Sequence, residues 1–261
     1  MKFREAFKKA VKECEYIKNY NWPLKWTYQD SGEFWDTVKD YDEIDDETYA
    51  YKRRFYDSIK MCDIYSKSRV LDMDCRTGNG TVFFHRSGKV KEAVCVSPSK
   101  NFLKVAKERF KKYHVKADTL LLRKMPLPLK DESFDVILCF ETIEHVSNHM
   151  EFLRELNRLL KDNGKMIFTM PNVLWEPVHY LAPIFGIHHS EGPHRFLTMG
   201  KVKKLLKKAG FKVIIGDTTV IIPAGPKWLT RLGEIIEKMM GKQLRHIFCL
   251  RHIMICKKYP K

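Results

Sequence analysis

The sequence predicts an α/β fold for residues 66–261, with a doubly wound, mostly parallel sheet and helices on both of its faces. From Ser66 onward, short apolar runs alternate with helical segments, which is the pattern of parallel strands joined by crossover helices. A chain of 261 residues with 44% hydrophobic content is also large enough to bury a substantial core. We therefore expect one large domain and an extension.

Residues 1–65 are predicted to be a helical, aromatic-rich extension packed on the main domain. Apolar residues recur at helical spacing over residues 2–19, which predicts an amphipathic helix. An aromatic stretch, an acidic stretch at 40–47 and a second helical pattern through Phe55 follow. Because the extension has too few aliphatic residues for a core of its own, we expect it to lie on the sheet domain.

Seven strands and six intervening helices are predicted after Ser66. The strands are Arg69–Met73, Ala93–Ser97, Thr119–Leu122, Phe134–Phe140, Lys165–Met170, Phe211–Ile215 and His246–Cys256. The helices cover residues 79–86, 99–112, 147–161, 175–185, 199–209 and 226–240. Ser99 and Thr198 are predicted N-caps, since their hydroxyl oxygens can accept hydrogen bonds from the first free N–H groups of a helix.

The positive charge of the chain is concentrated near its C-terminus. From Thr198 onward, fifteen Lys and Arg face only Asp217, Glu234 and Glu237, which accounts for +12 of the net +16. Such a field attracts nucleic acid or acidic lipid headgroups, but solvated helix faces on a Lys-rich protein are the favoured explanation. Apolar residues from Trp228 to Met239 share one face of the helix at 226–240, which favours a membrane surface, the protein's own core or a second subunit.

Cysteine usage and the N-terminal sequence predict a cytoplasmic protein, with a peripheral place at the membrane left open. The seven Cys are far apart and include no C-x-x-C pair, so neither a disulfide framework nor a zinc site is expected. The first residues are charged throughout, unlike a signal peptide, and no apolar run approaches membrane-spanning length.

The segment VLDMDCRTGNG, at residues 70–80, has the pattern of a ligand-binding turn. A strand ends at an acidic residue and opens into a glycine-bearing turn before a helix. In this geometry the backbone approaches a nucleotide closely and the N–H groups at the start of the helix face it.

Together with four further collinear segments, at 93–110, 127–146, 155–172 and 194–214, this turn resembles the class I S-adenosylmethionine-dependent methyltransferases of type 11. The resemblance implies a Rossmann-like sheet of seven strands, the last one antiparallel. It also implies S-adenosylmethionine as the cofactor and a small-molecule or lipid-like methyl acceptor. The sequence leaves the acceptor and the oligomeric state open.

The sequence departs from this family at the positions that would hold the cofactor. The family has an acidic residue and three alternate glycines where this chain has Asp72, Asp74, Arg76 and Gly78. Glycine leaves room there for the cofactor, and Arg76 is the largest departure because its side chain is long and always charged.

Three more positions belong to the implied cofactor site. Ser97 stands at the end of the second strand, where the family has an acidic residue that accepts hydrogen bonds from the ribose. Arg123 stands where an Asp commonly contacts the adenine, and Glu141 follows the fourth strand at a position that contacts substrate or cofactor.

Three interpretations follow from these departures. The chain is a methyltransferase with unusual contacts, in which Asp74 draws the Arg76 side chain aside while Asp72 and Gly78 still hold the ligand. Alternatively, it is a non-catalytic binding or scaffold protein that has kept the fold. In the third interpretation, Arg76 and Arg123 adapt the pocket to an anionic ligand such as a nucleotide phosphate.

Methyl transfer requires a positioned nucleophile and, for some substrates, a base. His145, beside Glu144 at the exit of the fourth strand, is the candidate base, although both residues could simply cap local backbone. The insertion at 173–197 is predicted to be a metal-free substrate lid that places His194 and Arg195 near the acceptor. Its apolar residues favour a small or amphipathic acceptor.

Overall fold

The structure is a computed structural model that describes residues 25–38, 48–184 and 192–259, together with four residue pairs between positions 7 and 19. Most of the predicted helix at 2–19, the acidic stretch at 40–47 and the middle of the predicted lid lie outside these residues. In the described part, no helix is long and apolar enough to cross a membrane.

Seven strands and nine α-helices are described, with short 3₁₀ turns at Ile143–His145 and Val173–Trp175. The strands are β1 (Ser68–Met73), β2 (Val90–Ser97), β3 (Ala117–Leu121), β4 (Phe134–Phe140), β5 (Leu160–Pro171), β6 (Phe211–Thr219) and β7 (Arg251–Lys258). The helices are α1 (Tyr28–Asp36), α2 (Tyr49–Met61), α3 (Asn79–Arg86), α4 (Lys100–Lys112), α5 (His149–Leu159), α6 (Glu176–Ile184), α7 (Met199–Lys208), α8 (Lys227–Met239) and α9 (Lys242–Phe248).

All seven strands form one sheet in the order β3-β2-β1-β4-β5-β7-β6. The pairs from β3 to β5 are parallel, and β7 runs antiparallel to both β5 and β6. The predicted seven-stranded sheet with an antiparallel last strand is confirmed. The carboxyl ends of β1 to β6 therefore share one edge of the sheet, called the carboxyl edge below, and β7 starts there.

The core has two layers because successive residues of each strand point to opposite faces of the sheet. Leu71 and Ile137 pack with residues of α5 and α7 on one face. Val70 and Leu138 pack with residues of α2, α3 and α4 on the other. The sheet is thus covered on both faces, as the continuous apolar runs predict.

One predicted element is wrong in its first part. The sequence predicts a strand over His246–Cys256, but residues 242–248 form helix α9 and β7 begins at Arg251. The Asn172 side-chain amide lies 3.0 Å from the carbonyl oxygens of His246, Ile247 and Cys249, to which it donates. This tertiary contact holds the end of α9 against the carboxyl edge, and an apolar run alone does not distinguish the two structures.

Candidate active site

We call the place at the carboxyl edge between the turn after β1, the end of β2 and the turn after β4 the candidate crevice. Asp72 lies inside β1 at its floor and is 2% exposed. Thr81 at the start of α3 donates a 2.6 Å hydrogen bond from its hydroxyl to the Asp72 carboxylate. Burial raises the pKa of Asp72 to about 7, although the Thr81 hydrogen bond opposes this rise. The carboxyl thus stands ready to change its charge near neutral pH.

The turn after β1 keeps a glycine-like backbone at the two positions where the family's glycines are replaced. Asp74 and Arg76 have left-handed φ values of 60° and 49°, and Gly78 has a φ of 82°. A left-handed conformation costs a non-glycine residue roughly 1–2 kcal/mol. Gly78 is also required by packing, since an added Cβ would lie 2.6 Å from the Phe110 ring.

The Asp74 carboxylate lies against the end of β2. The Ser97 hydroxyl donates to Asp74 Oδ1 at 3.3 Å, and both side chains are buried. Burial raises the pKa of Asp74, whereas the charge of Arg76 and the Ser97 hydrogen bond lower it. A carboxylate is therefore present beside position 97, although the residue at 97 is not acidic.

The Arg76 side chain enters the crevice and is covered by Trp35 of α1. Its guanidinium carbon lies 4.9 Å from the centre of the Trp35 ring. Its Nη2 atom is 3.4 Å from the Glu141 carbonyl oxygen and 3.5 Å from His145 Nε2. Arg76 is 7% exposed and Trp35 is 1% exposed, so these two side chains close the crevice.

Helix α1 is fitted closely to the loop that follows β2. A Cβ added at Gly32 would lie 2.2 Å from the Pro98 carbonyl oxygen. Arg123 donates to the same oxygen at 2.8 Å. Asp36 accepts hydrogen bonds from the Ser99 hydroxyl at 2.5 Å and the Asn101 backbone N–H at 3.0 Å, next to the start of α4.

His145 lies in the 3₁₀ turn after β4 and is buried. Its Nδ1 atom is 3.1 Å from the Pro193 carbonyl oxygen, which can only accept, so Nδ1 carries a proton in this contact. The Nε2 atom faces Arg76. The backbone carbonyl of His145 accepts a 2.6 Å hydrogen bond from the Trp26 indole.

The other predicted catalytic and substrate residues lie beside His145. His194 is fully buried, and its ring centre is 6.2 Å from that of His145. The Glu144 carbonyl oxygen accepts a 2.8 Å hydrogen bond from the Arg195 backbone N–H. The segment around residue 194 is thereby fixed against the carboxyl edge.

Glu141 forms a buried ion-pair network that sequence reasoning missed. It pairs with Arg54 of α2 at 2.7 Å and with Arg251 at the start of β7. Burial would raise the pKa of Glu141, but the charges of Arg251 and Arg54 lower it to about 2. The signal in the sequence was a charged residue, Arg251, at the start of a largely apolar strand.

No group of three or more metal-ligating side chains is arranged to hold a metal ion in the part of the chain that the structure describes. His188 and His189 of the insertion lie outside that part.

Comparison with known proteins identifies the family. A family model described as a methyltransferase domain of type 11 matches residues 71–168. An uncharacterized protein of Methanocaldococcus jannaschii is 30% identical over 200 residues, which cover 73% of this chain and 78% of that protein. The chain belongs to the class I S-adenosylmethionine-dependent methyltransferase family. The described residues of the candidate site lie at the carboxyl edge of the sheet, and their roles toward a cofactor stay predictions.

Among other methyltransferases, a demethylmenaquinone methyltransferase of Staphylococcus saprophyticus is 28% identical over 177 residues, covering 59% of this chain and 74% of that enzyme. Two solved structures share the fold. A [4+2]-cyclase, SpnF, has a TM-score of 0.67 at 15% identity, with 90% of this chain and 97% of SpnF covered. An S-adenosylmethionine-dependent methyltransferase from Clostridium acetobutylicum has a TM-score of 0.59 at 16% identity, with 84% and 96% covered. Because one neighbour is named a cyclase, the fold does not fix the reaction.

Proposed function

We propose that this protein is an S-adenosylmethionine-dependent methyltransferase that acts on a small, amphipathic acceptor. The observation that carries the proposal is the Asp74 carboxylate, 3.3 Å from the Ser97 hydroxyl at the end of β2. Asp74 supplies the acidic acceptor that position 97 lacks, and a carboxylate there is suited to hydrogen bonds from ribose hydroxyls.

The chemistry of these side chains suits the cofactor, but the space in the crevice does not. S-adenosylmethionine is a methyl donor with a positively charged sulfonium, and the crevice already binds a cation, the Arg76 guanidinium, against the Trp35 ring. Arg76 and Trp35 occupy the crevice together. Cofactor binding therefore requires the Arg76 side chain to leave and α1 to shift.

The proposed catalytic role of His145 depends on the same movement. Because Nδ1 donates to Pro193, Nε2 is the nitrogen available to accept a proton from an acceptor group. Arg76 now lies 3.5 Å from Nε2, so withdrawal of Arg76 would expose this nitrogen. His194 and Arg195 are proposed to border the acceptor, while Glu144 holds the backbone of Arg195.

An amphipathic acceptor is supported by the apolar side chains between β5 and α7. Leu174, Val178 and Leu181 are 48–60% exposed beside the carboxyl edge. The relative from Staphylococcus is named for a quinone acceptor, demethylmenaquinone. Both observations favour a ligand with an apolar body.

Isothermal calorimetry with S-adenosylmethionine and S-adenosylhomocysteine tests the proposal. We expect both to bind the wild-type protein and Asp74→Ala to weaken binding at least tenfold, because the ribose loses a charged acceptor, worth about 1.5–3 kcal/mol. Asp118→Ala, which removes an exposed carboxylate of β3, is the matched control. Absence of heat at millimolar ligand in every protein would overturn the enzyme proposal.

A non-catalytic binding protein is the second candidate. It is favoured by one observation, the closure of the crevice by Arg76 and Trp35. If neither the wild type nor a variant without the Arg76 side chain binds the cofactor, this second candidate replaces the first.

A further inference from the structure

Helix α8 is packed with its apolar side facing outward. Trp228, Leu232, Ile235 and Met239 are 68%, 44%, 54% and 82% exposed. The opposite side of the helix, which carries Thr230, Gly233 and Glu237, is buried. A surface helix normally buries its apolar side, so the arrangement of α8 is the reverse of the usual one.

The orientation of α8 is fixed by polar contacts of its inner side. Glu237 forms a 2.9 Å ion pair with Arg53 of α2 and accepts a 3.0 Å hydrogen bond from the Ile221 backbone N–H. Glu234 accepts a 2.6 Å hydrogen bond from the Tyr49 hydroxyl. Rotation of the helix to bury the apolar side would break these three contacts, so they hold the apolar stripe outward.

Exposed cations lie along one side of this stripe. Lys227, Arg231 and Lys238 fall on the same side of α8, because positions four and eleven residues apart superimpose closely on a helix. None of the three forms an ion pair with a described acidic residue. The acidic residues of α8, by contrast, are engaged with α2.

More exposed apolar side chains follow in the neighbouring elements. Leu244, Ile247 and Phe248 of α9 are 47–55% exposed. The Trp175 indole donates to the Phe248 carbonyl at 3.1 Å, which joins α9 to the exposed residues around α6. Helices α8 and α9 connect the end of β6 to the start of β7, so α8 begins and α9 ends near the carboxyl edge. Between these ends, α9 lies along β6, where Arg245 pairs with Asp217 at 2.9 Å.

We infer that this face, defined by the apolar stripe of α8 with its flanking cations and by the exposed residues of α9, docks on an anionic lipid bilayer. Tryptophan and aliphatic side chains enter the interfacial region of a bilayer, and flanking Lys and Arg are attracted to anionic headgroups. The start of α8 and the end of α9, which adjoin the carboxyl edge, would then lie at the membrane surface. If the proposed methyltransferase activity also holds, the acceptor reaches the crevice from the bilayer.

A second copy of the chain is a poorer occupant of this face. In a two-fold dimer the same patch meets itself, so the cations Lys227, Arg231 and Lys238 would face a patch that carries the same positive charge. The acidic groups that could compensate them, Glu234 and Glu237, are already engaged with Tyr49 and Arg53. An anionic bilayer satisfies the charge and the apolar stripe together.

Vesicle co-sedimentation of the full chain tests the inference. Binding is measured to phosphatidylcholine vesicles and to mixed phosphatidylcholine–phosphatidylglycerol vesicles, at low and raised salt and without cofactor. We expect binding to the mixed vesicles, weakened by salt. Trp228→Ser with Ile235→Ser, and separately Lys227→Gln with Arg231→Gln and Lys238→Gln, should each reduce it at least tenfold.

Matched controls alter exposed residues elsewhere. Tyr65→Ser removes an apolar side chain that is 66% exposed, and Lys104→Gln with Lys107→Gln and Lys111→Gln removes three exposed charges from α4. We expect both controls to bind as the wild type does.

Three outcomes would overturn the inference. One is wild-type protein that does not sediment with the mixed vesicles, and another is α8 variants that bind as tightly as the controls. The third is a wild-type dimer, measured by light scattering, that the Trp228→Ser/Ile235→Ser protein no longer forms, which would assign the face to a second copy. Since no cofactor is present, failure here leaves the calorimetric test of the methyltransferase proposal unaffected.

Discussion

The candidate crevice and the outer side of α8 both reverse the usual distribution of side chains. In the crevice, charged groups are buried, since Asp72, Asp74 and Arg76 are at most 8% exposed. On α8, apolar groups are exposed, with Trp228 at 68% and Met239 at 82%. A buried charge is destabilising unless it is paired, and an exposed apolar stripe usually marks a surface that a partner covers. The two regions differ in where the pairing or covering groups come from.

The buried charges of the crevice are paired with other groups of the same chain. Asp74 meets Ser97, Glu141 meets Arg54 and Arg251, and the guanidinium of Arg76 lies over Trp35. The apolar stripe of α8 has no such cover in the described part of the chain. If the two proposals hold, the crevice must open before it binds the cofactor, whereas the apolar stripe of α8 needs no rearrangement to meet a membrane.

The largest loss of stability is expected from breaking the ion pairs of Glu141 at the crevice. Glu141→Gln leaves Arg54 and Arg251 buried without their carboxylate, so the free energy of unfolding should fall by about 3–5 kcal/mol. Urea unfolding at neutral pH measures the change. Glu92→Gln, which removes the partly exposed partner of Arg69 and Lys116, is the control and should change stability by less than about 1 kcal/mol.

The two ion pairs of Glu141 also predict a loss of stability in acid. Glu141 keeps a pKa of about 2 despite burial, because of the charges of Arg251 and Arg54. Since this value lies below the roughly 4.3 of an unfolded Glu, the stabilisation is present above pH ~4 and is lost as the pH falls toward 2. A Glu141→Gln protein that unfolds with the same acid profile as wild type would contradict the ion-pair account.

Asp72 predicts a pH dependence of the opposite sign. Burial raises its pKa to about 7, so its contribution to stability is fully present below roughly pH 4 and is lost as the pH rises through 7. Asp72→Asn removes this dependence and can still accept the Thr81 hydrogen bond. Between pH 5 and pH 8, the variant should gain about 2–3 kcal/mol relative to wild type. Parallel stability profiles for the two proteins would contradict the buried, ionisable carboxyl.

A smaller difference in the free energy of unfolding distinguishes the contribution of packing from that of backbone strain in the turn after β1. Gly78→Ala should lower the free energy of unfolding by about 1–3 kcal/mol more than Gly88→Ala. Both glycines have a left-handed φ, but an added Cβ meets Phe110 only at Gly78, and nothing lies within 4 Å of it at Gly88. Equal losses in thermal or urea unfolding would show that packing around Gly78 is looser than described.

The smallest effect on stability is expected on α8. Trp228→Ser should change the free energy of unfolding by less than about 0.5 kcal/mol, because the side chain is exposed. Trp35→Ala, which empties a buried position of similar size, should cost about 3–5 kcal/mol. A large loss from Trp228→Ser would mean that the apolar side of α8 also packs on the rest of the chain and is not available to a membrane.

Much of the sheet domain follows from the sequence because its local signals agree with one another. Helix α7 was predicted to within a residue, since Thr198 provides an N-cap and apolar residues recur at helical spacing. Helix α9 was missed because its apolar residues suit a strand equally well and the Asn172 amide holds the helix from 74 to 77 residues away.

The candidate site was predictable only in part. Asp74, Arg76 and Ser97 lie at one edge of the sheet, as the motif predicted, because the carboxyl ends of β1 and β2 are adjacent. The direction of the Arg76 side chain was not predictable, since it depends on Trp35, which is distant in sequence. Arg54 and Arg251 reach Glu141 from distant elements for the same reason.

We propose that the crevice is a cofactor site that the chain closes with its own Arg76. Calorimetry of Arg76→Gly with S-adenosylmethionine tests this claim. Lys67→Gly is the matched control, because it relieves a left-handed φ of 59° at an exposed position outside the crevice. We expect Arg76→Gly to bind at least tenfold more tightly than both the wild type and Lys67→Gly, and an affinity that is unchanged or weaker would contradict the claim.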